Sequence, residues 1–167
     1  MSLSLNTFSR STLFVAILSL ILSGSSLAQT TSTSKFKCLV QMTNYMGEGA
    51  YVVISIVDSK GAYNKTLYVL GSDKRWYSSL KEWNKFYKKK QDVSAITGAS
   101  VTDGDRSISV IEIDNSKINA GYSLRFESAV ENKNYFVKDL EIPLTTESLA
   151  AKTDGTGFIR YVRFSPN

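Results

Sequence analysis

Thr97 and Ser100 are two alcohols separated only by Gly98 and Ala99. A glycine has no side chain and an alanine only a methyl, so a bulky reactant can approach the Ser100 oxygen with little obstruction. The four residues fall inside residues 92–105, a stretch rich in small and polar residues where a long loop is expected. Loops held by a rigid scaffold are common places for function. On the residues alone, this segment reads first as a plain turn. Asp103 and Asp105 flank Gly104 in the manner of a calcium loop, but the ligand ladder and its closing glutamate are absent.

The chain contains no histidine. That removes the commonest general base and metal ligand, and with it serine–histidine–acid hydrolysis and most zinc chemistry. A lysine base remains possible in principle, but no Ser-x-x-Lys spacing includes Ser100. Without such a base, a catalyst is the less expected reading. The single cysteine, Cys38, excludes an internal disulfide. It alternates with charged Lys37 and reads as a half-buried strand residue. The net charge of +5 is modest, and the basic residues are scattered apart from Lys88, Lys89 and Lys90. Neither nucleic acid nor an anionic membrane is required as a partner.

Residues 1–28 have the parts of a secretion signal. Arg10 supplies the positive charge, residues 11–22 the apolar core, and Ser26 and Ala28 the small residues before a cut at Ala28. The apolar run is shorter than the roughly 20 residues that span a bilayer, so the mature chain is expected to lack a transmembrane segment. Residues 29–34 read as a disordered polar leader. Residues 35–167 have the size of one domain.

Within that domain most segments are strand-like. Val52, Ile54 and Ile56 alternate with Val53, Ser55 and Val57, which suggests a strand buried on both faces. Residues 107–113 alternate, with Ile108, Val110 and Glu112 on one side. Residues 122–130 alternate too, and Ser123, Arg125 and Glu127 suggest a wet face. Residues 79–89 form the one expected helix. Ser79 and Glu82 have capping-box spacing, and Leu80, Trp83 and Tyr87 form an apolar stripe. The expected fold is an all-β, immunoglobulin-like antiparallel sandwich of seven to eight strands with one short helix; a small barrel is the competitor.

Two resemblances refine this picture. Residues 95–102 resemble the flavin-attachment motif of extracytoplasmic redox proteins, in which a flavin transferase joins the phosphate of FMN to a Ser or Thr hydroxyl. The resemblance implies Ser100 as the modified residue, with Thr97, Gly98 and Ala99 filling the preceding motif positions. The motif's acidic position falls on Ser94, and Asp92 lies two residues earlier. The chain as a whole resembles the predicted periplasmic proteins of domain-of-unknown-function family 2271, through residues 51–58 with Gly61, Arg75, Trp76, Leu80 and Trp83, the Thr97–Ser100 loop, and residues 120–127. That family implies a periplasmic location, an immunoglobulin-like sandwich, and a role beside flavin transferases and membrane redox proteins. A covalent FMN would make the protein an electron carrier. Trp76, Tyr77, Trp83 and Tyr87 would be the candidate aromatic surface, with Trp76 the best candidate for contact because Trp83 and Tyr87 on the helix stripe read as core packing against the sheet. Lys74, Arg75 and the lysines at 88–90 would favour a phosphate, or form a solvated basic face. The alternative to a carrier is a non-enzymatic binding or assembly module of the cell envelope.

Overall fold

The computed structural model describes residues 32–97 and 100–167. The expected signal and residues 29–31 of the leader lie outside the described residues. The first strand, β1 (Thr33–Met42), takes in Thr33 and Ser34 of the expected leader. There follow β2 (Tyr51–Val57), β3 (Tyr63–Leu70), a 3-10 helix (Lys74–Ser79) and the helix α1 (Lys81–Lys89). Next come the two-residue β4 (Ile96–Thr97), β5 (Arg106–Asp114), β6 (Ser123–Ala129) and β7 (Tyr135–Pro143). A short helix α2 (Thr146–Ala150), β8 (Lys152–Asp154) and β9 (Ile159–Pro166) complete the chain. The second α-helix was not expected from the sequence.

The strands form two sheets of an immunoglobulin-like sandwich. One is antiparallel in the order β5-β1-β9-β8. The other runs β3-β2-β6-β7 antiparallel, and β4 extends it by pairing parallel to β3. Between the sheets lies the main core, built on Val40, Ile54, Leu67, Ile111, Phe126 and Val162. Cys38 belongs to it and is fully buried. Burial pushes its thiol far above the ordinary range, which leaves it inert.

A second core lies on the far face of the β2-containing sheet. Val53, Val69 and Ala129 of that sheet pack there against Tyr77, Leu80 and Trp83. This layer explains why β2 is apolar in both of its alternating registers, as its sequence suggested. It also overturns the expected wet face of β6: every residue from Leu124 to Ala129 is buried, Arg125 and Glu127 included. The alternation of β6 is real, but its polar side faces a helical layer instead of water.

Candidate functional site

The helical layer fixes where the Thr97–Ser100 segment begins, and its anchor is a carboxylate. Glu127 is fully buried. One of its oxygens accepts the phenol of Tyr63, and the other accepts the phenol of Tyr135 and the backbone N–H of Trp83, the last at 3.3 Å. Tyr135 in turn accepts the backbone N–H of Glu82 at 3.0 Å. Two free donors at the start of α1 are thus met by side chains of the sheet.

The expected capping box does not form. Leu80 occupies the N-cap position and makes no side-chain cap, while Ser79 ends the preceding 3-10 helix. That helix is capped by Asp73, whose carboxylate accepts the Arg75 N–H at 3.1 Å. The Arg75 guanidinium closes on the same carboxylate at 2.6 Å and holds the Asp73 carboxyl below its usual range.

Burial raises the Glu127 carboxyl above the ordinary glutamate value, against its hydrogen bonds and the nearby Arg125. Arg125 is itself 5% exposed, donates to Glu141 at 2.8 Å, and lies over the Tyr63 ring. Tyr63 and Tyr135 are pushed far up by burial and by Glu127, so both phenols remain donors. Both carboxylate oxygens of Glu127 therefore have partners, and the cluster is a structural brace. The sequence did not flag it. The only available signal was the pairing of Arg125 and Glu127 on one side of a strand already rich in apolar residues.

From the C-terminal end of α1 the chain returns along β3. Val93 bridges Thr66, the Ser94 N–H donates to the Thr66 carbonyl at 3.1 Å, and the Val69 N–H donates to the Ala95 carbonyl at 3.0 Å. β4 then sets Ile96 beside Val69 and Thr97 beside Leu70. Beyond the gap, Val101 and Ala50 exchange both backbone hydrogen bonds, at 2.8 and 3.1 Å. The Tyr45 hydroxyl completes that junction, donating to the Val101 carbonyl at 2.8 Å and accepting the Ala50 N–H at 2.9 Å. The segment is therefore tied to the sandwich immediately before Gly98 and immediately after Ser100.

The five predicted site residues fall out as follows. Ser100 is half-buried, and its side chain lies directly over Gly49. A Cβ at position 49 would collide with the Ser100 oxygen and sit 2.9 Å from its Cβ. Thr97 is placed by its backbone on β4. Gly98 and Ala99 lie outside the described residues. Trp76 is half-buried on the 3-10 helix, and its ring belongs to none of the aromatic pairs among the described residues. No described contact joins Trp76 to Ser100.

The other aromatic candidates serve the second core. Trp83 is fully buried, stacks on Tyr87 at 4.9 Å between ring centres, and donates its indole N–H to Thr66 at 2.9 Å. Tyr77 is 2% exposed and packs edge-on against both rings. Tyr77 and Trp83 are thus spent on packing and offer no open face to a cofactor. Lys74, Lys88, Lys89 and Lys90 are exposed. Two grooves of the molecule lie away from the segment. One, of about 420 Å³, is lined by Phe36, Ile118, Leu149 and Phe164. A smaller one is lined by Leu39, Ile108 and Arg163.

Ser100 belongs to neither core; it is half-buried, and its oxygen lies against Gly49. The described residues include no cluster of His, Cys, Asp and Glu able to hold a metal ion, and no helix long and apolar enough to cross a membrane.

A family model described as a predicted periplasmic protein (DUF2271) matches residues 33–161, nearly the whole described sandwich. No curated protein and no solved structure matches the chain.

Proposed function

The chain belongs to the DUF2271 family of predicted periplasmic proteins, and from that premise we propose that it is an electron carrier of the periplasm bearing FMN on Ser100. One observation carries the reading: a half-buried serine hydroxyl pinned between two backbone anchors, with a glycine beneath it. The bound flavin would supply reversible one- and two-electron chemistry, which no side chain of this protein offers. The chain's own residues would do the rest. Ser100 provides the oxygen that a flavin transferase esterifies. Thr97, Gly98 and Ala99 would fill the preceding positions of the attachment motif. Trp76, whose ring has no aromatic partner among the described residues, offers an apolar face for stacking. The exposed lysines at 74 and 88–90 supply positive charge for a phosphate. A redox protein in the membrane would exchange electrons with the carrier.

Intact mass of the protein made together with an active flavin transferase tests the reading. A mature mass raised by one FMN phosphoester, retained after denaturation with flavin fluorescence, is expected. An unmodified mass beside a modified control substrate overturns it. Ser100→Ala should abolish the addition, and Thr97→Ala should only weaken it.

A second reading is a non-enzymatic binding or assembly module of the envelope. It is favoured by the apolar groove lined by Phe36, Ile118, Leu149 and Phe164. Recovery of one specific envelope protein by wild type and by Ser100→Ala alike would support it. Recovery of no reproducible partner would count against it.

A further inference from the structure

Among the described residues the two sheets end at four edges, and three of them are blunted. β4 is two residues long and β8 three. β7 has a register shift opposite Glu127 and ends in Pro143. Short strands, bulges and proline are the usual devices against unwanted strand pairing. The fourth edge, β5, has none of them. It is nine residues long, contains no proline, and keeps a continuous register against β1. Its centre exposes Ile108 and Val110 on the outer face.

The order of residues along β5 is also self-complementary. In an antiparallel pair centred on Ser109, Arg106 of one copy faces Glu112 of the other, and Ile108 faces Val110. The two-fold axis repeats both pairs. Charge meets opposite charge, and aliphatic meets aliphatic, at every outward position from 106 to 112. Shifting the centre to Val110 would set Ile108 against Glu112 and lose this match.

The inward side gives a second, independent indication. Ser109 is 4% exposed, and its hydroxyl is one of two buried side-chain polar atoms without a hydrogen-bond partner among the described residues. An orphaned buried hydroxyl is costly. On the axis, Ser109 faces Ser109 of the second copy, and each hydroxyl has a partner of its own kind across the strand pair.

We propose that β5 is the interface of a two-fold homodimer, in which two copies pair edge to edge about Ser109 and join their four-stranded sheets. The outward charges already have partial partners within one copy. Lys35 lies 3.1 Å from Glu112, and Arg106 donates through Nε to Gln41 at 2.6 Å. The second copy's Arg106 extends the first contact to a Lys35–Glu112–Arg106 network. The surface is independent of the flavin reading, because β5 contains no residue of the Thr97–Ser100 segment and its test needs no flavin.

Sedimentation of the exported, unmodified protein over a concentration series tests the interface. A reversible dimer is expected, weakened by salt because the ion pairs are exposed. Ile108→Lys and Val110→Lys should each raise its dissociation constant on the order of tenfold or more. Both positions are solvent-exposed, so the melting temperature of the monomer should hold. Arg106→Glu should weaken the dimer, and Arg106→Glu with Glu112→Arg should restore it. Amide hydrogen exchange supplies a variant-free readout: protection of the β5 edge should rise with protein concentration. A wild-type chain that stays monomeric to about 1 mM overturns the proposal. So does a dimer that survives both lysine substitutions, or β5 exchange that ignores concentration.

Discussion

The carboxylate of Glu127, in the middle of a β-strand, accepts the backbone N–H of Trp83 in the first turn of α1. A sheet residue thus does what an N-cap side chain does in an isolated helix. Through it the position of α1, and of the chain that leaves its C-terminal end toward Ser100, is referred to the sandwich.

Glu127 is therefore expected to be among the costliest positions to change. Glu127→Ala leaves the phenols of Tyr63 and Tyr135 and the Trp83 N–H without their acceptor. At roughly 1–3 kcal/mol per abandoned buried donor, with some relief from entering water, a loss of about 3 kcal/mol is expected. Glu127→Gln keeps one acceptor and should cost less. Its pH dependence is the sharper test. Burial raises the Glu127 carboxyl above its ordinary value of 4.5. A raised carboxyl contributes stability that is complete below the unfolded-state value and is lost as pH rises through the folded value. Glu127→Gln lacks that slope. Denaturant unfolding at a series of pH values above 4.5 should show the wild type losing stability relative to the variant. A difference independent of pH would contradict the assignment.

Gly49 offers a way to disturb Ser100 without touching a motif residue. A Cβ there collides with the Ser100 hydroxyl and its Cβ. Gly49→Ala should displace that side chain and lower flavin incorporation well below wild type, measured by intact mass. The strain should stay near 1–3 kcal/mol, typical of mild overpacking, so the fold survives. Full incorporation in this variant would mean that the Ser100 orientation seen here is irrelevant to the modification.

Asp139 is a second buried carboxylate, and it organises the turn between β8 and β9. It accepts the hydroxyl of Ser128 and the backbone N–H groups of Gly157 at 2.7 Å, Ile159 at 2.9 Å and Thr156 at 3.1 Å. The irregular pairing of β6 with β7 occurs where Asp139 lies, in keeping with bulges that re-aim a side chain. Asp139→Ala should cost about 3 kcal/mol or more by stranding these donors. Fast amide exchange should then appear at Gly157 and Ile159. A loss under about 1 kcal/mol would mean that water replaces the carboxylate without penalty.

Much of this architecture was legible in residue order. The double alternation of Val52 to Val57 announced a strand covered on both sides, and β2 is one. The stripe of Leu80, Trp83 and Tyr87 announced a helix packed on a sheet. What failed were inferences that need a third dimension. Arg125 and Glu127 alternate with apolar residues as a wet strand face would, and only the position of α1 turns that face inward. Ser79 and Glu82 have the spacing of a capping box, yet the caps come from Glu127 and Tyr135, more than forty residues away. The site is a comparable case. The Thr97–Ser100 spacing was visible, but the glycine beneath Ser100 belongs to the approach to β2, and no local pattern links the two.

Trp83 and Thr66 close the brace from the other side. The indole N–H donates to the Thr66 hydroxyl at 2.9 Å inside the second core, while the ring stacks on Tyr87. Trp83→Phe removes the donor and part of the ring. It should cost about 1–3 kcal/mol through the lost volume and the freed Thr66 hydroxyl. Thr66→Val strands the indole N–H and should cost about 1–2 kcal/mol. The double variant should cost less than the sum, since neither partner is then left waiting for the other. Fluorescence separates the two tryptophans. Trp83, fully buried, should emit to the blue of half-buried Trp76, and Trp83→Phe should leave only the redder component. A strictly additive double variant would show that the Trp83–Thr66 hydrogen bond contributes nothing, and that α1 is held by Glu127, Tyr135 and apolar contact alone.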